Sequence, residues 1–359
     1  MAKTGLLAAG GAQQLKAYEL WRDTVNAAGG LDVAGTKRPI EFVVYDDQSV
    51  SANVVKIYEK LITDDKVDLL LAPFGTPAHL AIVPLLERFQ FPMVANTASS
   101  VHVRELKPGN IWFVSPSVHD RLAIELVKLA KANNVASAAV LSNQIPPATE
   151  IRRFLMPALK EGNVNVLIDE QYPADIKDMT SVMTKVRDAK PDAIFVLSLF
   201  SDSALYVRQA REVRIQAGFQ FVAIGPQYPA FIKMFGNATD GLVSMGHWTT
   251  LRADWAKAAP FAVAFEKKWG EPPDYLDSVL AYTSCEIVQQ AVAKAGLDKD
   301  KLRQVISTDT FDTINGPIRF KGVENVSLPV GFLQRQDGKM ELIWPASIAT
   351  GTFKPKTGW

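Results

Sequence analysis

Short runs of β-branched and apolar residues alternate along the chain with stretches in which apolar positions recur at helical spacing. The predicted strands are "IEFVVYD" (40 to 46), "VDLLLA" (67 to 72), "FPMVAN" (91 to 96), "ASAAVLS" (136 to 142), "NVLIDEQY" (165 to 172), "DAIFVLSL" (192 to 199) and "FQFVAIG" (219 to 225). Between them lie amphipathic patterns such as "QLKAYELWRDTVNAAGG" (14 to 30), which closes on a Gly pair, "TSVMTKVRDAK" (180 to 190) and "SALYVRQAREVR" (203 to 214). Residues 249 to 307 read as mostly helical, and the tail after "INGPIRF" returns to short strands with a turn at "RQDGKM". Strand and helix in alternation predict parallel sheets with crossover helices. Residues 40 to 120 and 136 to 248 each form a run of such units, compatible with two similar lobes.

The corner "LLLAPFGTPAHL" (69 to 80) passes from strand to helix within four residues. Pro77 suits the first turn of a helix, where a missing N–H is tolerated, and this makes Thr76 the expected N-cap. Its hydroxyl can serve its own helix. Alternatively, Gly75 lets the backbone come close, and free N–H groups at the positive end of a helix dipole attract an anion. The stretch alone leaves both readings open.

At 359 residues, the chain is longer than one core usually supports. Its 48% apolar and 21% charged residues are ordinary for a folded protein, and 39 basic against 38 acidic side chains leave no electrostatic footprint for nucleic acid or an anionic membrane. Apolar runs such as "AIFVLSLF" fall short of the roughly 20 residues needed to span a bilayer. The start "MAKTGLLAAGG" has no recognisable signal peptide. A single cysteine, Cys285, excludes an internal disulfide and fits a packed helix face. No phosphate loop, GxGxxG, HExxH or GxSxG pattern occurs, and the four histidines show no metal-ligand spacing. Asp46 and Asp47 suit a turn or hinge, or a Mg²⁺ or phosphoryl site. No enzyme, cofactor or metal is expected.

"TGLLAAGGAQQLKAYELWRDTVNAAGGL", "EFVVYDDQS", "LITDDKVDLLLAPFGTPAHLAIVPLLERFQFPMVAN", "NGPIRF" and "RQDGKMELIWP" follow one another in an order and spacing that resembles the branched-chain amino-acid (Leu/Ile/Val) binding type of periplasmic solute-binding protein, the receptor of ABC importers. The resemblance implies a type I periplasmic binding fold: two α/β Rossmann-like lobes with helix-flanked parallel sheets and three hinge crossings. Lobe one would be 1 to 117 plus 249 to 325 and lobe two 118 to 248 plus 326 to 359, with a ligand cleft between them. It also implies a periplasmic location, an ABC permease in the inner membrane as partner, a small carboxylate ligand, and a monomer. In that family a short strand precedes the segment that begins here at Thr4-Gly5. Without it, the sheet neighbours on both sides would lack a partner.

The family's ligand positions carry over residue by residue. The resemblance places a carboxylate against Phe74, Gly75 and Thr76 and against Thr97, Ala98 and Ser99. Across from these it implies Phe200, Gln227 and Tyr228, with His119 near the first crossing and Trp248 and Tyr275 as further aromatic positions, each of which also fits an ordinary core. Gln227 stands where amino-acid-binding members carry an acidic residue for the ligand's ammonium. A neutral amide there favours a carboxylate without that cation, such as an aromatic or branched organic acid, over an amino acid. Asp202, two residues after Phe200, is an alternative source of negative charge. Gly10 and Gly11 either leave room for a bulkier ligand or supply backbone freedom. The other readings are a branched-chain amino-acid binder proper, a ligand-sensing regulator of the same fold, and an enzyme. No attached effector segment or convergent base and nucleophile supports the last two.

Overall fold

The computed structural model describes residues 1–105 and 109–359. The chain divides into two compact units, Met1–Pro116 with Arg252–Leu328, and Ser117–Leu251 with Pro329–Trp359. It passes from one to the other after Pro116, Leu251 and Leu328.

Unit one opens with α1 (Ala8–Ala27), the hairpin β1 (Leu31–Val33) and β2 (Thr36–Arg38), α2 (Ser51–Thr63), α3 (Thr76–Phe89), β3 (Met93–Ala95) and β4 (Ile111–Phe113). The chain then builds unit two: α4 (His119–Ala132), β5 (Ser137–Asn143), α5 (Pro146–Glu161), β6 (Asn165–Tyr172), α6 (Thr180–Ala189), β7 (Ala193–Leu197), α7 (Phe200–Glu212), β8 (Phe219–Val222), α8 (Pro229–Phe235) and β9 (Leu242–Met245). It returns to unit one for α9 (Ala258–Trp269), α10 (Asp277–Ala295), α11 (Lys299–Thr308), the hairpin β10 (Phe311–Thr313) and β11 (Gly316–Ile318), β12 (Phe320–Lys321) and β13 (Glu324–Asn325), and closes in unit two with β14 (Phe332–Gln336) and β15 (Lys339–Trp344).

Unit two holds a seven-stranded sheet in the order β15-β14-β9-β8-β7-β5-β6. The strands from β9 to β6 run parallel, and β14 and β15 add an antiparallel edge. All five residues of β7 are fully buried, because helices cover both faces of a parallel sheet. Phe195 packs into a cluster with Leu122, Leu126 and Leu155 of α4 and α5, while Ile194 and Val196 face Met183, Val186 and Val207 of α6 and α7. Here the predicted strands and helices agree with the structure to within three residues at either end.

In unit one they part. The described sheet has four strands, ordered β12-β13-β4-β3. The predicted strands at 40 to 46 and 67 to 72 are extended but carry no ladder. Among the described residues, the backbone N–H groups of 41 to 46 and of 68 to 72 have no hydrogen-bond acceptor. A cavity of about 410 Å³ lies against both segments. A strand needs a neighbour to satisfy its backbone, so residues with full strand propensity remain unpaired here.

Two local expectations also change. The first helix begins at Ala8 rather than Gln14 and stops at Ala27, ahead of the Gly pair. Gly75, with φ +84°, is the N-cap of α3, and Thr76 is the first helical residue. A positive φ at the cap is readily reached only without a Cβ, which moves the helix start one residue ahead of the expected place and frees the Thr76 hydroxyl from capping.

Candidate functional site

In unit one, two loops at strand ends hold each other by crossed hydrogen bonds. The Gly75 N–H donates to Thr97 Oγ1 at 2.9 Å, and the Ser99 N–H donates to Thr76 Oγ1 at 3.0 Å. Each threonine oxygen accepts from the opposite loop, so each hydroxyl keeps its own hydrogen as a donor. The Ser99 hydroxyl lies 3.3 Å from that of Ser115. Among the described residues the N–H groups of Thr76 and Ala78, in the first turn of α3, and of Ala98 have no acceptor. Free N–H groups at a helix start, joined by two hydroxyl donors, form an anion-accepting corner.

A buried support fixes this corner. His79 Nδ1 is 2.8 Å from the Gly75 carbonyl, and its Nε2 accepts from the Asn96 N–H at 3.4 Å. Burial holds that imidazole neutral, with its pKa lowered to about 4. Gln14 Nε2 donates to the carbonyls of Ala72 and Pro73 at 2.8 and 3.1 Å, and the Tyr18 hydroxyl reaches Ala72 O at 3.1 Å. Asn96 Nδ2 donates to Tyr18 Oη at 2.6 Å. Thus α1 ties down the strand end that launches α3.

Phe74 leans over α1. A Cβ on Gly10 would sit 2.1 Å from Phe74 Cζ, and one on Gly11 would sit 2.2 Å from the Ala2 carbonyl oxygen. The glycine pair therefore leaves no room for ligand, contrary to that expectation. The space is filled by Phe74 and by the start of the chain. Tyr275 precedes α10 in unit one and is half-buried.

Unit two brings its aromatic candidates together. The Phe200 ring, on the first residue of α7, lies edge-on to Tyr228 with centroids 5.8 Å apart and to Phe231 at 5.5 Å. Tyr228 and Trp248 are buried, as is His119, whose Nδ1 is 2.5 Å from Glu150 Oε2. Gln227 is fully buried: its Oε1 accepts from the Gly225 N–H at 2.9 Å and its Nε2 donates to the Ala223 carbonyl at 3.1 Å. Both ends of the amide are engaged by the loop after β8.

Asp202 is likewise turned inward. One carboxylate oxygen accepts from Asn143 Nδ2 at 2.9 Å and Tyr172 Oη at 2.8 Å, and the other from the Leu199 N–H at 2.9 Å. It clamps the ends of β5, β6 and β7, and its carboxylate is held by these three neutral donors. Burial raises its pKa, opposed by those hydrogen bonds. Asp46 and Asp47 shape a turn. Asp46 accepts from the N–H groups of Lys3, Thr4 and Gln48 and from the Thr4 hydroxyl, and these bonds lower its pKa to about 2. Among the described residues no group of three or more His, Cys, Asp or Glu side chains is placed to hold a metal.

Sequence reasoning passed over His247. It follows β9 in unit two, is fully buried, and neither ring nitrogen has a partner among the described residues. Burial lowers its pKa to about 3, so it is neutral and carries one unused donor and one unused acceptor. The signal was a lone histidine beside a tryptophan, which single-sequence reading cannot separate from core.

Against known proteins, the family model described as "Periplasmic binding protein" matches residues 1–330. The chain is 22% identical to the Leu/Ile/Val-binding protein homolog 7 of Brucella suis biovar 1, over 98% of this chain and 91% of that protein. Its fold resembles the branched-chain amino-acid transporter substrate-binding protein of Streptococcus pneumoniae in complex with isoleucine, with TM-score 0.83 and 23% identity over 96% of this chain and 97% of that one. It also resembles an ABC-transporter solute-binding protein of Rhodopseudomonas palustris BisB5 in complex with 3,4-dihydroxybenzoic acid, with TM-score 0.77 and 21% identity over 99% and 94% of the two chains.

Proposed function

The chain belongs to the periplasmic binding protein family, and on that premise we propose that it is the solute-binding component of an ABC importer. It captures a small carboxylate in the periplasm, by closure of its two units, and delivers it to a membrane permease. The observation that carries this reading is the Thr76–Thr97 corner, whose crossed hydrogen bonds leave two hydroxyl hydrogens and three N–H groups as donors. Such donors suit a carboxylate, at about 1.5–3 kcal/mol for each charge-assisted bond.

The ligand proposed is an aromatic acid without an α-ammonium. Asp202 is fully engaged, Gln227 is a neutral amide bonded within its own loop, and His247 is neutral. A cation enclosed against Gln227 and His247 would meet no opposite charge in contact. The rings of Phe200 and Tyr228 offer apolar surface instead. Of the two structural relatives described above, one holds an aromatic acid and the other an amino acid, so the choice rests on this chain's own residues.

Calorimetric titration with 3,4-dihydroxybenzoate, benzoate, leucine and isoleucine tests both levels. Binding of an aromatic acid, weakened about ten- to a hundredfold in Thr76→Ala with a smaller effect on folding from the lost Ser99 bond, is the expected outcome. Binding of leucine or isoleucine without any aromatic acid would overturn the ligand class. An unchanged affinity in Thr76→Ala would remove the corner from the site.

A further inference from the structure

Unit two carries a cavity of its own, at the end of its sheet away from Phe200 and Tyr228. Those two residues follow β7 and β8, whereas Asp240 and Gly241 precede β9, which runs parallel to both, and Arg335 and Gln336 close the antiparallel β14. With the turn after β14 and the segment 354 to 359, they enclose about 560 Å³. That lies within the roughly 300–1,000 Å³ of ordinary small-molecule sites. The segment is fixed from within. The fully buried Gln334 side chain donates to the Lys354 carbonyl and accepts from its N–H, each at 2.8 Å, and the Lys356 N–H donates to the Gly218 carbonyl at 2.8 Å.

The charges on the wall do not balance. Arg211, Arg335, Lys354 and Lys356 line the cavity, with only Asp240 and Asp337 against them. Asp337 pairs with Lys354 at 3.0 Å, and Asp240 pairs with Arg335. Among the described residues, Arg211 and Lys356 form no ion pair. Lys356 is only 7% exposed, and its ammonium donates to the carbonyls of Ala238 and Asp240, both at 2.9 Å, while lying 4.4 Å from the centre of the Trp359 ring. An ammonium has three hydrogens, so one remains unused. Burial lowers the pKa of this lysine to about 8, opposed by Asp240. A cation sheltered from water and met only by carbonyls and a ring is costly unless an anion joins it. Arg335 stands in a similar state. Its side chain is 12% exposed and bonds through Nη1 alone, to Gly236, Thr239 and Asp240; among the described residues Nε and Nη2 have no acceptor.

We infer that this cavity binds a small phosphate ester, with the phosphate on Lys356 and Arg335, Arg211 at the exposed rim, and the organic part against Phe235 and the Trp359 ring. The excess of two positive charges matches a phosphate monoester, which carries about −1.5 to −2 at neutral pH; a single carboxylate would leave one cation uncompensated. A lysine point charge beside an arginine fork suits phosphate oxygens. The site belongs wholly to unit two, whereas the Thr76–Thr97 corner belongs to unit one, so the two are filled by different compounds.

The test is calorimetric titration of the full chain with inorganic phosphate and with phenyl phosphate. Both are expected to bind, the ester more tightly, and Lys356→Met is expected to weaken both by about tenfold or more while Thr76→Ala leaves them unchanged. Arg211→Gln, at an exposed position with no ion pair to lose, is expected to weaken both severalfold and carries the test should Lys356→Met fail to fold. Binding that requires more than about 10 mM of either compound, that is unchanged in both of these variants, or that is lost in Thr76→Ala overturns the inference. Inorganic phosphate binding about tenfold more tightly than the ester would overturn the ester in favour of the free ion.

Discussion

The two units carry strand-forming segments of equal quality and treat them differently. "DAIFVLSL" in unit two becomes a central strand with every side chain of β7 buried, whereas "IEFVVYD" in unit one stays extended, half-exposed and unladdered. Composition does not separate them. What differs is whether two neighbours stand beside the segment, and a strand is a property of the pair rather than of the residues.

Large-to-small substitutions sharpen this contrast most. Phe195→Ala removes a ring from the centre of the unit-two sheet and should cost about 3–5 kcal/mol in denaturant unfolding. A value under about 1 kcal/mol would mean that unit two is no better packed than unit one.

A middle-sized effect concerns two of the buried histidines, His79 in unit one and His247 in unit two. Both His79 and His247 have pKa values lowered by burial, to about 4 and about 3, against about 6.5 in an unfolded chain. Between those limits the unfolded chain binds more protons, so the stability is present above about pH 6.5 and is lost as pH falls toward the folded values. His247→Phe should flatten the slope of stability against pH in that window, because no hydrogen bond of His247 is given up. His79→Phe should also lower stability at neutral pH, because the links to Gly75 and Asn96 are lost. Urea unfolding at a series of pH values separates the two, and an unchanged acid slope in both variants would count against the account.

The smallest effect is expected in unit one. Val43→Ala changes a side chain that packs little and should stay within about 0.5 kcal/mol of the parent. A cost as large as that of a core valine would break the comparison, since it would place residue 43 in a sheet after all.

Much of unit two was legible in the sequence because its signal is local and its neighbours are present. "NVLIDEQY" and β6 coincide residue for residue. In unit one, 40 to 46 reads as a strand as clearly as any in unit two, because nothing within those residues records whether a partner stands beside them. At the candidate site the loops could be read but the roles within them could not. Thr76 looked like a cap because the φ of Gly75 is invisible in a sequence. Gly10 looked like open space because the Phe74 ring that fills it lies 64 positions away. Asp202 looked available because its three donors come from Asn143, Tyr172 and Leu199, which converge only once β5, β6 and β7 are aligned.

The crossed bonds between Gly75 and Thr97 and between Ser99 and Thr76 bear on how fast the proposed ligand is taken up. Loops that hold each other before any ligand arrives have already lost their conformational freedom, so an incoming carboxylate bears little of that ordering cost. Its association with this corner is then governed by encounter and water release rather than by a search among loop shapes, and the lifetime of the complex is left to the contacts made afterwards.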